Sequence, residues 1–391
     1  MMCSYEHFWK AVDQLQRRLL HDWRQKGQCQ QTNNDVINRD VVLHRIEYII
    51  LNVTKAIARG EAPVFRYANR SSWDNIRFDS AIGLEQIGEA KLTHVRFDSI
   101  NSVKKFGIMV KVLSLIYKLI QEDKYCTKRD IYYQFPELFG SQSVLDSAVD
   151  NLACMLEVPR WELHVLATSK GCVAGDLQFY DAEGQYNDCQ ATRVGIQIPA
   201  HSKDFQSLQT NARYVLIVEK DATFQKLLLD NLCDKYGPCI MITGKGFPDM
   251  GTRMLLRALR DRFQLPMFAL VDADPHGVEI MAVYKFGSKA QAAENCFLAV
   301  PEIRWLGVLP SDIQRLNLQE DTLISMTKKD MDKACELLGR PYVQSNWQLL
   351  EQIQIMIQSG KKAEIQCLDS LSSSYLCQVY IPEKLASGCW L

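Results

Sequence analysis

In several stretches of the first 160 residues the apolar positions recur every three or four places, the mark of helices with one buried face. Phe8, Val12, Leu15 and Leu19 predict a first amphipathic helix. Val42, Ile46, Ile49, Ile50 and Val53 predict a second over about 40–59. Between them the polar stretch 26–34 reads as a loop or linker. Neither helix has an obvious local partner, so both are candidates to dock on the chain itself or on another protein. Residues 60–100 mix polar and aromatic side chains and predict irregular structure. A helix follows at about 104–121. Thr127 opens the next, with Asp130 three positions on in a capping-box-like start. A third spans 143–156, and Pro159 breaks it. Residues 163–167 and 173–179 then read as two strands around the turn Ser169-Lys170-Gly171. Three helices and a short hairpin describe a winged helix-turn-helix, a DNA-docking module.

From residue 213 the period changes. Unbroken apolar runs at 214–218, 239–243 and 267–271 alternate with helical patterns at about 222–235, 249–263 and 276–286. Strands alternating with helices predict a parallel sheet. The pattern beyond 300 is mixed, with no internal repeat and no low-complexity tract.

Two of these runs end in acids. The first leads into Glu219, and the third into Asp272-Ala273-Asp274. Residues i and i+2 of an extended chain point to one side. Open α/β sheets bind ligands at the carboxyl ends of their strands. Carboxylates gathered there suit a hard cation such as Mg2+. One acid after a strand is ordinary turn chemistry. The ordered series of strand-Glu, helix, strand, helix, strand-Asp-x-Asp is what points to a metal site.

The 391 residues carry a net charge of −1, with 47% apolar and 23% charged residues, an ordinary globular balance with room for two or three domains. Near-neutrality does not exclude a nucleic-acid partner, because phosphate contacts depend on local clusters. Lys124, Lys128 and Arg129 form one such cluster, and Arg253, Arg257, Arg260 and Arg262 another. A solvated helix face reads equally well for the arginines. The 13 cysteines show no C-x-x-C pair, which argues against a zinc site and a disulfide framework. Cys154, Cys172 and Cys239 lie in apolar runs as expected of buried thiols, and His164 and His276 read as structural. The apolar segment 106–120 holds Lys111 and Lys118 and is too short and too charged to span a bilayer. With no apolar signal core at the N-terminus, a soluble intracellular protein without membrane contact is expected.

Lys128-Arg129-Asp130-Ile131-Tyr132-Tyr133 adds a nucleophile. A tyrosine hydroxyl attacks a phosphodiester when cations offset the developing charge. Arg129 precedes Tyr133 by four residues, so both can share one helix face. Spacing alone does not choose between Tyr132 and Tyr133, and two helical tyrosines are also ordinary packing residues.

This hexapeptide is followed in order by Leu138-Phe139, Gln142, Ala167-Thr-Ser-Lys-Gly171, Val218-Glu-Lys-Asp-Ala-Thr-Phe224, Gly244-Lys-Gly246 and Val271-Asp-Ala-Asp-Pro-His-Gly-Val-Glu-Ile280. The series resembles the topoisomerase VI A protein, and most closely its eukaryotic, meiotic branch, the sporulation-protein-eleven family. Arg304-Trp-Leu-Gly-Val-Leu-Pro-Ser-Asp312 and Lys362-Ala-Glu-Ile365 are similar to that branch too. The resemblance covers about 100–391, and none of these positions departs from the family pattern.

The resemblance implies an α/β chain: an N-terminal helical, partner-docking region at 1–95, a winged-helix (CAP-like) DNA-binding domain at 96–205, and a Toprim domain with parallel sheet and C-terminal extension at 206–391. It implies a type IIB topoisomerase-like transesterase that breaks both DNA strands to initiate meiotic recombination. Tyr133 becomes the nucleophile, with Tyr132 turned into the domain core, and Glu219, Asp272 and Asp274 the Mg2+ ligands. Arg129 is the candidate for stabilising the pentacoordinate phosphorus. Lys170 and Lys245 are candidate DNA contacts, and Phe247 a candidate minor-groove wedge. Each site combines the tyrosine of one protomer with the acids of the other, so a homodimer on double-stranded DNA is implied. No G-x-x-x-x-G-K-[ST] motif is present, so ATP dependence is expected from a partner like the topoisomerase VI B protein. Other meiotic break-formation proteins and a nuclear, chromosomal location are implied as well. A non-cleaving DNA scaffold and a Toprim hydrolase without covalent intermediate are the competing readings. Covalent protein on DNA 5′ ends separates them.

Overall fold

The computed structural model describes residues 5–25, 38–70, 72–87, 91–181, 183–200 and 205–391. The expected linker at 26–34 and the side chain of Leu19 lie outside the described residues.

A six-stranded sheet organises the second half. Its strands run in the order Ile196–Gln197, Cys172–Gly175, Ile240–Thr243, Val215–Val218, Met267–Leu270 and Arg304–Gly307. The last four are mutually parallel, and the first two are antiparallel additions. The apolar runs lack polar alternation because both faces are covered. Val215 and Ile217 enter one buried cluster with Leu255, Leu259 and Val278, while Leu216 and Val218 enter another with Phe224, Leu306 and Leu368. Val215–Val218 pairs with Ile240–Thr243 on one side and Met267–Leu270 on the other. The chain order therefore reverses at this central strand, and Glu219 stands at the switch point where such sheets open a crevice.

The three expected helices form as Val103–Gln121, Lys128–Gln134 and Gln142–Leu156. Val112, Leu113, Ile116, Leu145, Val149 and Leu152 contribute to their common core. Thr127 caps the middle helix in a reciprocal capping box. Its Oγ1 accepts from the Asp130 amide at 3.1 Å, and Asp130 Oδ2 accepts from the Thr127 amide at 3.4 Å. The left-handed Glu157 ends the third helix just before Pro159.

The expected hairpin at 163–179 does not form. Val165–Leu166 pairs in parallel with Cys126–Thr127, and Cys172–Gly175 joins the large sheet beside Ile240–Thr243. Ser169-Lys170-Gly171 therefore crosses from the helical unit to the sheet, and strands expected within 96–205 belong to the sheet unit. A period of two says which side chains face inward, not which strand lies alongside.

Residues 60–100, expected to be irregular, hold two strand pairs, Val64–Ala68 with Leu92–Arg96 and Ile76–Asp79 with Gly83–Gln86. The expected docking region at 1–95 is divided between the two units. Tyr5–Gln25 lays Phe8, Val12 and Leu15 into the core with Tyr214 and Leu385, and Arg213 pairs with Asp13 while lying over Trp9. Arg39–Ala58 joins the helical core through Val42 and Ile46. Both helices thus find apolar partners on their own chain. No described helix is long and apolar enough to cross a membrane.

Candidate active site and metal centre

Glu219 and Asp272 meet where adjacent parallel strands end. The Glu219 amide donates to the Leu270 carbonyl at 3.0 Å, and the Asp272 amide donates to Glu219 Oε2 at 2.9 Å. On the other side, the Val271 amide donates to the Gly307 carbonyl and the Val308 amide to the Val271 carbonyl, each at 2.7 Å. A distant segment then closes the site. Ala273 and Ala363 exchange backbone hydrogen bonds at 2.8 and 3.2 Å, and the Ile365 amide donates to Asp272 Oδ1 at 2.8 Å. Asp274 caps the helix Pro275–Phe286 by accepting from the Gly277 amide at 2.6 Å.

The electrostatics are those of a site short of positive charge. Glu219 is 7% exposed and Asp272 4%. Burial, then the neighbouring Asp272 and Asp274, push the Glu219 carboxyl up to about 7. Burial also raises Asp272, although the Lys220 ammonium 2.7 Å from its Oδ2 pulls the other way. A divalent cation would offset this excess of negative charge, and the donors are all oxygen, so the residues fit Mg2+ in their chemistry. Among the described residues no three His, Cys, Asp or Glu side chains converge closely enough to hold an ion as they stand. Lys220 pairs with Asp272 Oδ2, and Asp274 accepts from the Gly277 amide.

The two tyrosines have different surroundings. Tyr132 is half-buried against the helical core, while Tyr133 is 67% exposed with its ring 5.7 Å from that of Tyr132. Arg129 is exposed, one turn earlier. Neither Arg129 nor the Tyr133 hydroxyl has a hydrogen-bonding or ionic partner among the described residues. No such bond joins either of them to the acids of their own chain.

Lys170, Lys245 and Phe247 are brought together beside those acids. Lys170 Nζ donates to the Lys245 carbonyl at 3.2 Å, and Asp249 Oδ2 accepts from the Lys170 and Gly171 amides at 2.7 and 3.0 Å. The Gly246 amide donates to the Glu219 carbonyl at 2.9 Å, which ties this loop to the acid strand. Phe247 is exposed.

The wider basic clusters resolve differently. Arg253 is buried and donates to Gln291 and to Asn295. Arg257 bonds Asp261 and the Ala299 carbonyl, and Arg260 bonds Glu302 and Asp261. These three brace the fold, while Arg262 is exposed. Lys128 lies 3.5 and 3.7 Å from Asp146 and Asp150, and Lys124 pairs with Glu122. His164 stacks on Tyr125, as a structural histidine does. Cys239 is buried, but Cys154 and Cys172 are only half-buried.

Sequence reasoning does not single out Lys220, Glu364 or Ile365 as site residues. Lys220 directly follows Glu219, a usable hint. Nothing local announces that 363–365 folds back onto Asp272. A glycine makes the tightness of this corner testable. A Cβ on Gly277 would lie 2.4 Å from the Asp272 carbonyl oxygen and 3.1 Å from its amide nitrogen. Backbone cannot yield as a side-chain tip can. Gly277→Ala is therefore expected to lower stability by about 1–3 kcal/mol. Thermal melting measures the loss.

Comparison with known proteins places two family matches along the chain. Residues 214–385 match the Toprim-domain family of the topoisomerase 6 A protein and Spo11, and residues 104–165 match the type IIB DNA topoisomerase family. The chain is 48% identical to meiotic recombination protein SPO11 of Mus musculus over 387 residues, covering 98% of this chain and 97% of that one. It is 46% identical to the Homo sapiens protein of the same name, with the same coverage. Against the A protein of DNA topoisomerase 6 from Arabidopsis thaliana it is 35% identical over 348 residues, 88% of this chain and 80% of that one.

Proposed function

The chain belongs to the family that unites the topoisomerase 6 A protein with Spo11, and from that premise we propose that it breaks double-stranded DNA by transesterification to initiate meiotic recombination. The observation that carries the reading is the buried Glu219–Asp272 pair at the switch point of a parallel sheet, with too little positive charge of its own.

In the proposed reaction the Tyr133 Oη attacks phosphorus. The bond from phosphorus to the 3′-oxygen breaks, the tyrosine proton is given up to solvent, and the 3′-oxygen takes up a proton. The 5′ end is left as a phosphotyrosyl diester, so one ester replaces another without water as a reactant. Arg129, without a partner among the described residues, faces the developing charge on phosphorus. Glu219, Asp272 and Asp274 would hold Mg2+, which supplies positive charge against the phosphate oxygens. Lys170 and Lys245 hold the backbone, and Phe247 presses into the minor groove. Such contacts position DNA with little sequence readout. The three-helix unit at 103–156 serves as the DNA-docking module. A topoisomerase VI B-like partner, other meiotic break-formation proteins and a chromosomal site of action complete the proposal.

The deciding experiment incubates the chain, Mg2+ and the B-like partner with DNA and looks for protein covalently attached to 5′ ends. Intact DNA would favour a scaffold, and naked 5′ ends a hydrolase.

Tyr133 makes no hydrogen bond with the acids of its own chain, which favours sites shared between two protomers. A heterodimer of Tyr133→Phe with Glu219→Ala then has one site with both defects and one with neither. It is expected to nick circular DNA in one strand, with covalent protein at the nick. Sites built within one chain would give no nicks from proven heterodimers.

A further inference from the structure

Asp272 has a cation already. Lys220 Nζ lies 2.7 Å from Asp272 Oδ2, and the same nitrogen is 3.2 Å from Glu364 Oε2 and 3.4 Å from Gln366 Oε1. We propose that Lys220 is the resident counter-ion of the acid site and yields Asp272 to an incoming divalent cation by moving its ammonium fully onto Glu364 and Gln366. The inference rests on the metal-centre reading above and adds to it a built-in competitor.

The other contacts on the acids leave room for a metal. Asp272 Oδ1 and Glu219 Oε2 each accept a backbone amide, at 2.8 and 2.9 Å. A carboxylate oxygen that accepts one amide keeps a second lone pair. Those amides belong to backbone held by its own hydrogen bonds and cannot leave. Lys220 differs in both respects. It brings a full charge to the oxygen on which a metal would sit, and it stands on a flexible stem. An ammonium and a divalent ion on one carboxylate oxygen repel each other at short range, so only one of them can stay.

The second seat is already built. Glu364 and Gln366 flank Ile365, whose amide holds Asp272, and Ala363 is bridged to Ala273. The seat is therefore fixed to the site by backbone. Glu364 is about half exposed, so it can take the ammonium without burying a new charge. Rotation of one side chain suffices, with no strand displaced.

The test measures Mn2+ binding to the full-length protein without DNA, by the loss of the free-ion electron paramagnetic resonance signal. Circular dichroism confirms folding of each variant. Lys220→Met is expected to bind Mn2+ roughly three- to fivefold more tightly, the scale of one partly exposed ion pair. Lys220→Arg keeps the charge and grips a carboxylate with two donors, so it should bind Mn2+ more weakly than wild type. Glu364→Gln removes part of the second seat. It should weaken Mn2+ binding in the wild-type background, and less so beside Lys220→Met, a coupling that a merely local charge effect lacks.

Equal or weaker Mn2+ binding by folded Lys220→Met overturns the proposal and leaves the metal centre standing. If that variant does not fold, Lys220→Arg decides alone, and unchanged or tighter binding overturns the proposal. A wild-type chain that binds no Mn2+, or a Glu219→Gln chain that binds it as well as wild type, overturns the metal-centre reading itself.

Discussion

Protein carrying Tyr133→Phe is expected to bind DNA normally and to form no covalent adduct, a loss of at least about a thousandfold in cleavage. The substitution removes one hydroxyl from a residue that is 67% exposed. That hydroxyl has no partner among the described residues, so stability should change by less than about 0.5 kcal/mol. Tyr132→Phe is the control. Its ring packs half-buried against the helical core from the helix Lys128–Gln134, and its loss of a hydroxyl should leave at least part of the activity. The measurement is detergent-resistant, DNA-linked protein on 5′ ends. An adduct formed by Tyr133→Phe at the wild-type level would remove Tyr133 from the mechanism.

Glu219→Gln should separate function from stability. The amide has nearly the shape of the acid, and its oxygen can still accept from the Asp272 amide, which lies 2.9 Å from Glu219 Oε2. On the proposed mechanism, cleavage should fall by about a hundredfold or more at low Mg2+, since one of the charges proposed to hold the metal is gone. Metal-free stability should move the other way. The Glu219 carboxyl is raised to about 7 in the fold from an ordinary 4.5. Its effect on stability is absent below the unfolded value, where both states are protonated. Between 4.5 and about 7 the unfolded chain ionises first, so wild-type stability declines as pH rises. Above that range the loss is complete, on the order of 1–3 kcal/mol. Glu219→Gln escapes it and should melt higher than wild type at about pH 8 without metal, and about equally near pH 4. A variant that melts lower at the alkaline end would mean that Glu219 braces the fold rather than waiting for a cation.

The parts of the molecule most legible in the sequence are those governed by neighbouring residues. Thr127 and Asp130 form their capping box within one helical turn, and Val103–Gln121 follows its own apolar period. The strands Val215–Val218, Ile240–Thr243 and Met267–Leu270 are legible because burial on both faces requires unbroken apolar runs. Glu219 and Asp272 can be named because a parallel sheet brings like ends of its strands to one edge. The arginine run on Met250–Phe263 cannot be judged from its spacing. Solvent and buried acceptors both suit an arginine, and Gln291, Asn295, Ala299 and Glu302, far along the chain, decide for the second at Arg253, Arg257 and Arg260, while Arg262 stays exposed.

By itself, then, the chain's own pattern determined the helices named above, three of the four parallel strands, the acids at their ends and the tyrosine pair, since each depends on residues within a few positions or on one strand period; Arg304–Gly307 and the helices beyond it were not legible. Partners distant in sequence were left to the tertiary structure. It paired Cys172–Gly175 with Ile240–Thr243 rather than with Val165–Leu166, and it laid Phe8 and Val12 against the sheet unit. It half-buried Tyr132 and exposed Tyr133, and it carried Glu364 and Ile365 back to Lys220 and Asp272. The physical reason is that apolar burial and hydrogen bonding are satisfied by any partner of suitable shape. Which partner is reached depends on how the whole chain closes around its cores.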